Sequence, residues 1–291
     1  MIEGKKKVDF SRSKMNYKFD TKKGIFTLYE PETGKDWSNH LFNDLSYITN
    51  ITHFGASYSR YVDERSVQVT LNCPLTSCLY LRDAESKDYW NVAGYPSLNE
   101  IEGYACEHGQ QYTKISSERG GIFGEIVYAV APNDTREVWA VTLVNRSQRQ
   151  RVIDMIAATQ FDLNGYAQPV YYSTGTTSFT RYVERANAVF NENSNPYRPH
   201  DISSGFIMSS ERPFAYEGNY EKFIGTMGTR TKPYVLEHGL DLACGAATVR
   251  SRGGILQNRV TLASGETKTV YFILGLIRDK ETLAANAERF V

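Results

Sequence analysis

The stretch Ile122-Phe-Gly-Glu-Ile-Val-Tyr-Ala-Val130, a break at Ala131-Pro-Asn-Asp134, and the run Val138-Trp-Ala-Val-Thr-Leu-Val144 together decide the fold class. Both runs have strand length and are rich in β-branched and aromatic residues, which fit a pleated, half-buried surface. The Pro-Asn-Asp cluster between them supplies turn conformations, so the pair reads as adjacent antiparallel strands. The same rhythm continues on either side. Gly103 to Ser117 precedes the pair across Arg119-Gly-Gly121, and Arg151 to Thr159 follows it across Asn145-Arg-Ser-Gln148. Strands spaced this closely by short polar turns are the signature of an antiparallel sandwich. Trp139 is expected to pack inside it.

Strand signals extend along most of the chain. Gly24 to Tyr29, Asp44 to Thr52, Ser57 to Val62 and Ser66 to Leu71 come first. Leu79-Tyr-Leu81 and Asp88-Tyr-Trp90 then flank the polar turn Asp83-Ala-Glu-Ser-Lys87. Residues Gln160 to Ser194 are less regular and rich in Tyr, Thr and Ser, and Asn191 to Pro199 reads as a loop. Ser204 to Ser209 resumes as a strand, and Val249 to Thr261 with Thr267 to Leu276 forms a closing pair around Ala263-Ser-Gly-Glu266. Only Lys280 to Phe290 reads as a helix, with Leu283, Ala284, Ala287 and Phe290 on one face. The expected fold class is all-β. The expected organisation is a tail over 1–23, a β-sandwich over 24–278 and a terminal helical stretch over 279–291.

Composition narrows the partners. Lys plus Arg equals Asp plus Glu at 33 each, so the formal charge is zero. A balanced chain with dispersed basic residues is not suited to nucleic acid or to an anionic membrane surface. No apolar run approaches membrane-spanning length, and Met1-Ile-Glu-Gly-Lys-Lys-Lys7 leads into no apolar segment, so a cytoplasmic location is expected. The four cysteines, Cys73, Cys78, Cys106 and Cys244, lack the spacing of a disulfide framework or zinc site. The chain holds 20 Tyr and 14 Phe. That excess reads first as a β-rich fold, with a surface on which rings stack against sugar C–H faces as the alternative.

No residue pattern identifies catalysis by itself. The glycines of Phe223-Ile-Gly-Thr-Met-Gly-Thr-Arg230 lack phosphate-loop spacing and read as a turn with positive-φ glycine. No Gly-x-Ser-x-Gly elbow occurs, and paired acids cannot be picked out because their separation is set in three dimensions. His108, in Cys106-Glu-His-Gly109, reads either as a turn anchor or as a group facing a sugar. No metal-ligating set and no cofactor are expected.

Several segments together resemble a known family. Tyr80-Leu-Arg-Asp83 with Asp88-Tyr-Trp90 is similar to a Tyr-Leu-Arg-Asp…Gly-x-x-Trp hairpin. Cys106-Glu-His-Gly109 with Tyr112-Thr-Lys-Ile115 resembles His-Gly-x-Gly-Tyr-Ser/Thr-x-Ile, with Gln111 in place of a glycine. Gly55-Ala-Ser-Tyr-Ser59, Glu137-Val-Trp139, Phe223-Ile-Gly-Thr226, Leu262-Ala-Ser-Gly-Glu-Thr267 and Phe272-Ile-Leu-Gly275 follow in the same order. These segments resemble the amino-terminal β-sandwich of the inverting disaccharide phosphorylases, glycoside hydrolase family 94, once called glycosyltransferase family 36. The resemblance implies a large two-sheet antiparallel supersandwich of the galactose mutarotase-like kind.

It also implies that the chemistry lies elsewhere. In complete members an (α/α)6 barrel carries the Asp that protonates the leaving oxygen while inorganic phosphate, a co-substrate, attacks the opposite face. The sandwich would help assemble a homodimer and reach over a sugar site, with the barrel supplied in cis or in trans. On this reading the chain has no catalytic residue of its own and meets a disaccharide or oligosaccharide. Its sugar-facing candidates are His108, Gln110 and Tyr112 at one edge, and Gln168, Tyr171, Tyr172 and Arg181 at another. Tyr80 and Trp90 are expected to serve packing. Two alternatives remain open, a stand-alone carbohydrate-binding module and a mutarotase-like aldose epimerase using Glu107 and His108. Against the epimerase, strand neighbours point to opposite faces.

Overall fold

The computed structural model describes residues 16–44, 47–163, 177–193, 202–240, 242–248 and 251–290. Within them the chain builds two facing layers of sheet, antiparallel except where Leu242–Ala243 pairs in parallel with Ala215–Asn219. One layer is an eleven-stranded sheet. Its order is Tyr17–Asp20, Ile25–Leu28, Glu102–His108, Thr113–Arg119, Ile122–Val130, Arg136–Asn145, Thr267–Ile277, Ser204–Ser209, Ala188–Asn191, Thr177–Val183 and Ala246–Thr248. The facing layer divides in two. Its six-stranded part runs Leu242–Ala243, Ala215–Asn219, Arg252–Leu262, Arg151–Gln160, Cys78–Asp83 and Tyr89–Trp90. Its four-stranded part is Ser38–Asn43, Tyr47–Thr52, Ser57–Val62 and Gln68–Thr70. The parts are joined by the Ser57–Ser77 bridge and by Asn72, which donates to the Ser57 carbonyl at 3.1 Å.

The hairpin read first from the sequence is present, with Ile122 opposite Asn145 and Val130 opposite Glu137. Period-two alternation sends Ile122, Ile126 and Tyr128 inward beside Trp139, Val141 and Leu143. Trp139 is fully buried and meets the Tyr128 ring edge-on at 5.5 Å. The core draws Leu41, Tyr47 and Ile51 from the four-stranded part, and Leu79, Leu81, Ile153 and Met155 from the six-stranded part.

Cys78–Asp83 is buried along its whole length because both of its faces are covered. Leu79 and Leu81 face the large sheet. Tyr80, with Ile156 and Ile255, packs under two short helices, Tyr220–Ile224 and Tyr234–His238. Neither helix is visible in the sequence reading, since five residues are too few to show a 3.6-residue period. The first is capped by Asn219, whose side chain accepts from the amides of Glu221 and Lys222. The glycine-punctuated stretch after it has only one of its two glycines at positive φ, Gly225 at 84°.

Four other features depart from the expectation. Tyr17–Asp20, inside the stretch read as a tail, pairs with Ile25–Leu28 as the outer strand of the large sheet. Ser38–Asn43 is a strand whose polar composition hides it. Phe223 to Arg230, read as a turn, begins inside the first short helix, Tyr220–Ile224. The run Gly103 to Ser117 is a hairpin and not one strand: Glu102–His108 turns at residues 109–112 into Thr113–Arg119. The Gly109 amide donates to the Tyr112 carbonyl at 2.9 Å, and a Cβ on Gly109 would stand 2.4 Å from the Tyr112 ring. The helix expected at the end is Lys280–Phe290. It lies on the outer face of the large sheet, burying Leu283 and Ala287 against Phe190, Phe206, Met208 and Ile273. Asp279 caps it by accepting from the Thr282 amide at 2.7 Å.

Candidate functional site

The motif residues expected to mark the family prove to be structural anchors. Arg82, Asp154 and Arg259 form a charge row on the outer face of the six-stranded part, with Arg82 and Asp154 buried and Arg259 at the solvent edge. Arg82 Nη2 lies 2.7 Å from Asp154, and Arg259 Nε lies 2.7 Å from its other oxygen. Asp83 holds Arg151 at 2.7 Å. Glu137 is buried and accepts from Trp139 Nε1 at 2.9 Å, from Tyr47 Oη at 3.3 Å and from Ser59 Oγ. Its carboxylate thus ties the four-stranded part to the large sheet. Asn145 Nδ2 reaches the carbonyls of Arg149, Leu262 and Ala263 at 2.7, 3.0 and 3.1 Å.

His108 points into the sandwich and is 9% exposed. Its Nδ1 shares a 3.0 Å hydrogen bond with Thr113 Oγ1. Burial pushes its pKa down to about 4, assisted by the neighbouring His53 and opposed by a backbone hydrogen bond at Trp37. A neutral, enclosed imidazole of this kind serves packing more readily than a sugar surface. Gln110 is exposed and packs its amide beside Gly24. Tyr112 is half-buried, and its hydroxyl donates to Glu107 Oε2 at 3.4 Å. Glu107 also pairs with Lys114 at 3.0 Å on the outer face. Glu107 and His108 therefore stand on opposite sides of the sheet, as strand geometry requires.

Arg181 lies on the outer face of the large sheet in a polar pocket of about 500 Å³. The pocket opens where Lys280–Phe290 begins. Its wall is Arg181, Glu192, Arg278, Asp279, Lys280 and Glu281, with Ser204 and Phe190 beneath. Three cationic and three anionic side chains leave it polar and close to neutral. Arg181 Nη2 approaches Glu192 at 3.9 Å, and both side chains are 49% exposed, so each keeps hydrogen-bonding capacity for a ligand. Such a surface of interleaved donors and acceptors suits hydroxyl groups better than a multiply charged anion.

The structure does not bring the two candidate groups together. The strands of His108 and Arg181 stand third and tenth in the large sheet. At about 4.8 Å between neighbours they are roughly 30 Å apart. Gln168, Tyr171 and Tyr172 lie outside the described residues. The sequence reading missed Glu192 and the run Arg278 to Glu281. That dense alternation of charge at a strand-to-helix junction was the available signal. Among the described residues no group of three His, Cys, Asp or Glu side chains gathers closely enough to hold a metal. No described helix is long and apolar enough to cross a membrane.

Comparison with known proteins adds the family. The sequence model of the glycosyl hydrolase 94 supersandwich domain matches residues 23–291. Solabiose phosphorylase of Paenibacillus borealis is 29% identical over 267 residues, covering 88% of this chain and 34% of that protein. N,N'-diacetylchitobiose phosphorylase of Vibrio proteolyticus is 27% identical over 275 residues, covering 89% of this chain and 33% of that protein. The chain thus spans about a third of the length of the curated relatives it matches. Among solved structures, a GalM/aldose epimerase homologue from C. elegans superposes with a TM-score of 0.49 at 7% identity, covering 83% of this chain and 99% of that one.

Proposed function

The chain belongs to the glycosyl hydrolase 94 supersandwich family, and from that premise we infer a non-catalytic domain of an inverting β-glucoside phosphorylase, contributing carbohydrate contacts and subunit assembly. One observation carries the reading. The family match runs over residues 23–291, yet those residues amount to about a third of each phosphorylase relative. The acid that protonates the leaving oxygen is then supplied by a catalytic barrel, in cis or in trans, and phosphate binds there. Three buried carboxylates among the described residues fit that division, because Asp83, Asp154 and Glu137 are each engaged by arginine, tryptophan, tyrosine or serine donors. The Arg181 pocket is the proposed carbohydrate contact, the homodimer is the proposed assembly, and the cytoplasm is the proposed location.

The test is turnover by the purified chain. Incubated with phosphate and either cellobiose or N,N'-diacetylchitobiose, it is expected to release no sugar 1-phosphate. Turnover at the order of 1 s⁻¹ that is usual for enzymes would sink the reading. Sugar binding without turnover, weakened by Arg181→Ala, supports a carbohydrate-contacting domain. The epimerase alternative loses its geometric basis with Glu107 and His108 on opposite faces, and polarimetry of glucose anomerisation is expected to show only the uncatalysed rate.

A further inference from the structure

One corner of the sandwich interior is polar. On the inner face of the large sheet Thr180 pairs with Asn191, and Asn191 with Gly205. Continuing the same alternation, Ser178, Asn193 and Ser203 form the next row toward the strand ends. Ser178 is 2% exposed, Asn191 0%, Asn193 3% and Ser203 0%. Arg252, 3% exposed, enters from the facing layer. Its direction follows from two neighbours. A Cβ on Gly254, on the same face of that strand, would stand 2.6 Å from Ile207. The Arg252 carbonyl accepts from Phe161, whose ring packs over Gly205.

Part of this corner satisfies itself. Thr180 Oγ1 bonds to the Gly245 carbonyl at 3.1 Å, and Asn193 Nδ2 to the Leu163 carbonyl at 2.9 Å. The rest does not. Both amide atoms of Asn191, the hydroxyls of Ser178 and Ser203, and Arg252 Nε have no hydrogen-bond partner in the protein. Buried polar groups are nearly always paired, so a concentration of unanswered ones calls for a guest. Their chemistry narrows the guest. Asn191 Nδ2 and Arg252 Nε donate, Asn191 Oδ1 accepts, and the hydroxyls do both. Inorganic phosphate keeps P–OH donors near neutral pH, but its net negative charge would be set against Asp162, whose charge acts on Arg252. A sugar hydroxyl donates and accepts.

We propose that the corner formed by Ser178, Asn191, Ser203 and Arg252 binds the hydroxyl groups of a neutral sugar, as a subsite separate from the Arg181 pocket on the outer face of the same strands. This rests on the carbohydrate-contacting reading of the domain and adds a second place of contact. The test combines calorimetric titration of the full chain with glucose and, separately, inorganic phosphate, and a crystal structure after a glucose soak. Glucose density is expected against Asn191, Ser178 and Ser203. Asn191→Leu, which keeps the shape and removes the unanswered amide, is expected to weaken glucose binding about tenfold, the worth of roughly one net hydrogen bond. Ser178→Ala, a smaller change, gives the same comparison should Asn191→Leu fail to fold. Ordered water alone at the corner, phosphate in place of sugar, or unchanged glucose affinity in the variant that folds would overturn the proposal. Sugar found only in the outer pocket overturns this subsite and spares the domain reading; turnover by the chain does the reverse.

Discussion

Asp154 tests how the second layer is held. Its carboxylate is fully buried. On one side it accepts from Arg82 Nε at 3.1 Å and Nη2 at 2.7 Å, and on the other from Arg259 Nε at 2.7 Å and Nη2 at 3.1 Å. The remaining Arg82 nitrogen donates to the Leu236 carbonyl at 3.0 Å, within the short helix that covers this face. Asp154→Ala leaves two guanidiniums side by side with no anion. Breaking a buried pair from one side costs about 3–5 kcal/mol, and because the Arg259 side chain is 32% exposed, a value near the lower end, about 3 kcal/mol, is expected. The double variant Asp154→Leu, Arg82→Met should cost less, since the burial penalty of both charges disappears with the pair. Burial alone would raise the Asp154 pKa, but hydrogen bonds and charge from Arg259 and Arg82 outweigh it and hold the carboxyl below its ordinary value. A lowered folded-state pKa means the stabilisation is fully present above about pH 4 and is lost as pH falls through the folded value. Urea unfolding of wild type and Asp154→Ala should therefore differ most at pH 7, and the gap should narrow as the pH falls below about 4. A difference under about 1 kcal/mol at pH 7, well short of the range for broken buried pairs, or a gap that widens on acidification, would refute the reasoning.

His108, with a pKa pushed down to about 4 chiefly by burial, should show a flat imidazole NMR shift between pH 8 and pH 5. Because the unfolded chain binds that proton near pH 6.5, stability should fall as pH drops from about 6.5 toward 4, by about 3 kcal/mol in all, and His108→Asn should flatten that slope. Gly253→Ala would place a Cβ 2.6 Å from the Tyr220 amide nitrogen and 3.1 Å from the Asn219 carbonyl carbon. Backbone cannot swing aside as a side chain can, so a loss of about 1–3 kcal/mol in urea unfolding is expected, and an unchanged midpoint would contradict the packing. Burial pushes the thiols of Cys73, Cys78, Cys106 and Cys244 up to about 12. At pH 8 native protein should label slowly with iodoacetamide while urea-unfolded protein reacts at all four; fast native labelling of Cys78 and Cys106, which are buried, would contradict their enclosure.

The strands around Ile122 to Asn145 were legible because their two faces meet different surroundings, core on one side and a half-open surface on the other. Cys78–Asp83 and the first part of Arg252–Leu262, through Asn258, lack that contrast, being buried throughout, and were read as strands from their composition and flanking turns and not from alternation. What covers them is the pair of five-residue helices, and a helix shorter than two turns leaves no period to read. The hairpin at residues 109–112 was hidden for a related reason. Polar residues continue through the turn much as they alternate on the flanking strands, and the reversal shows only in the pairing of His108 with Thr113 and the Gly109–Tyr112 contacts.

The site was harder to read, and the reason is physical. A buried structural polar residue and a ligand-binding one make the same demand on sequence, a polar side chain at fixed spacing among apolar ones. Arg82, Asp83, Glu137 and His108 carry the family resemblance, and each has its hydrogen-bonding capacity directed at its own chain. Only burial and partner geometry separate such anchors from a binding surface. Arg181 is the opposite case, unremarkable in sequence yet set in the pocket, because Ala188–Asn191 pairs with both Thr177–Val183 and Ser204–Ser209, and the latter pairs with Thr267–Ile277. That chain of pairings carries Arg278 to Glu281 to within reach of Arg181 and Glu192. The same pairings set Ser178, Asn191 and Ser203 in adjacent rows on the inner face. Since side chains alternate across a strand, Arg181 and Glu192 must face out wherever Ser178 and Asn191 face in. The outer pocket and the inner corner are thus two consequences of one register, and a one-residue slip in any of these strands would destroy both.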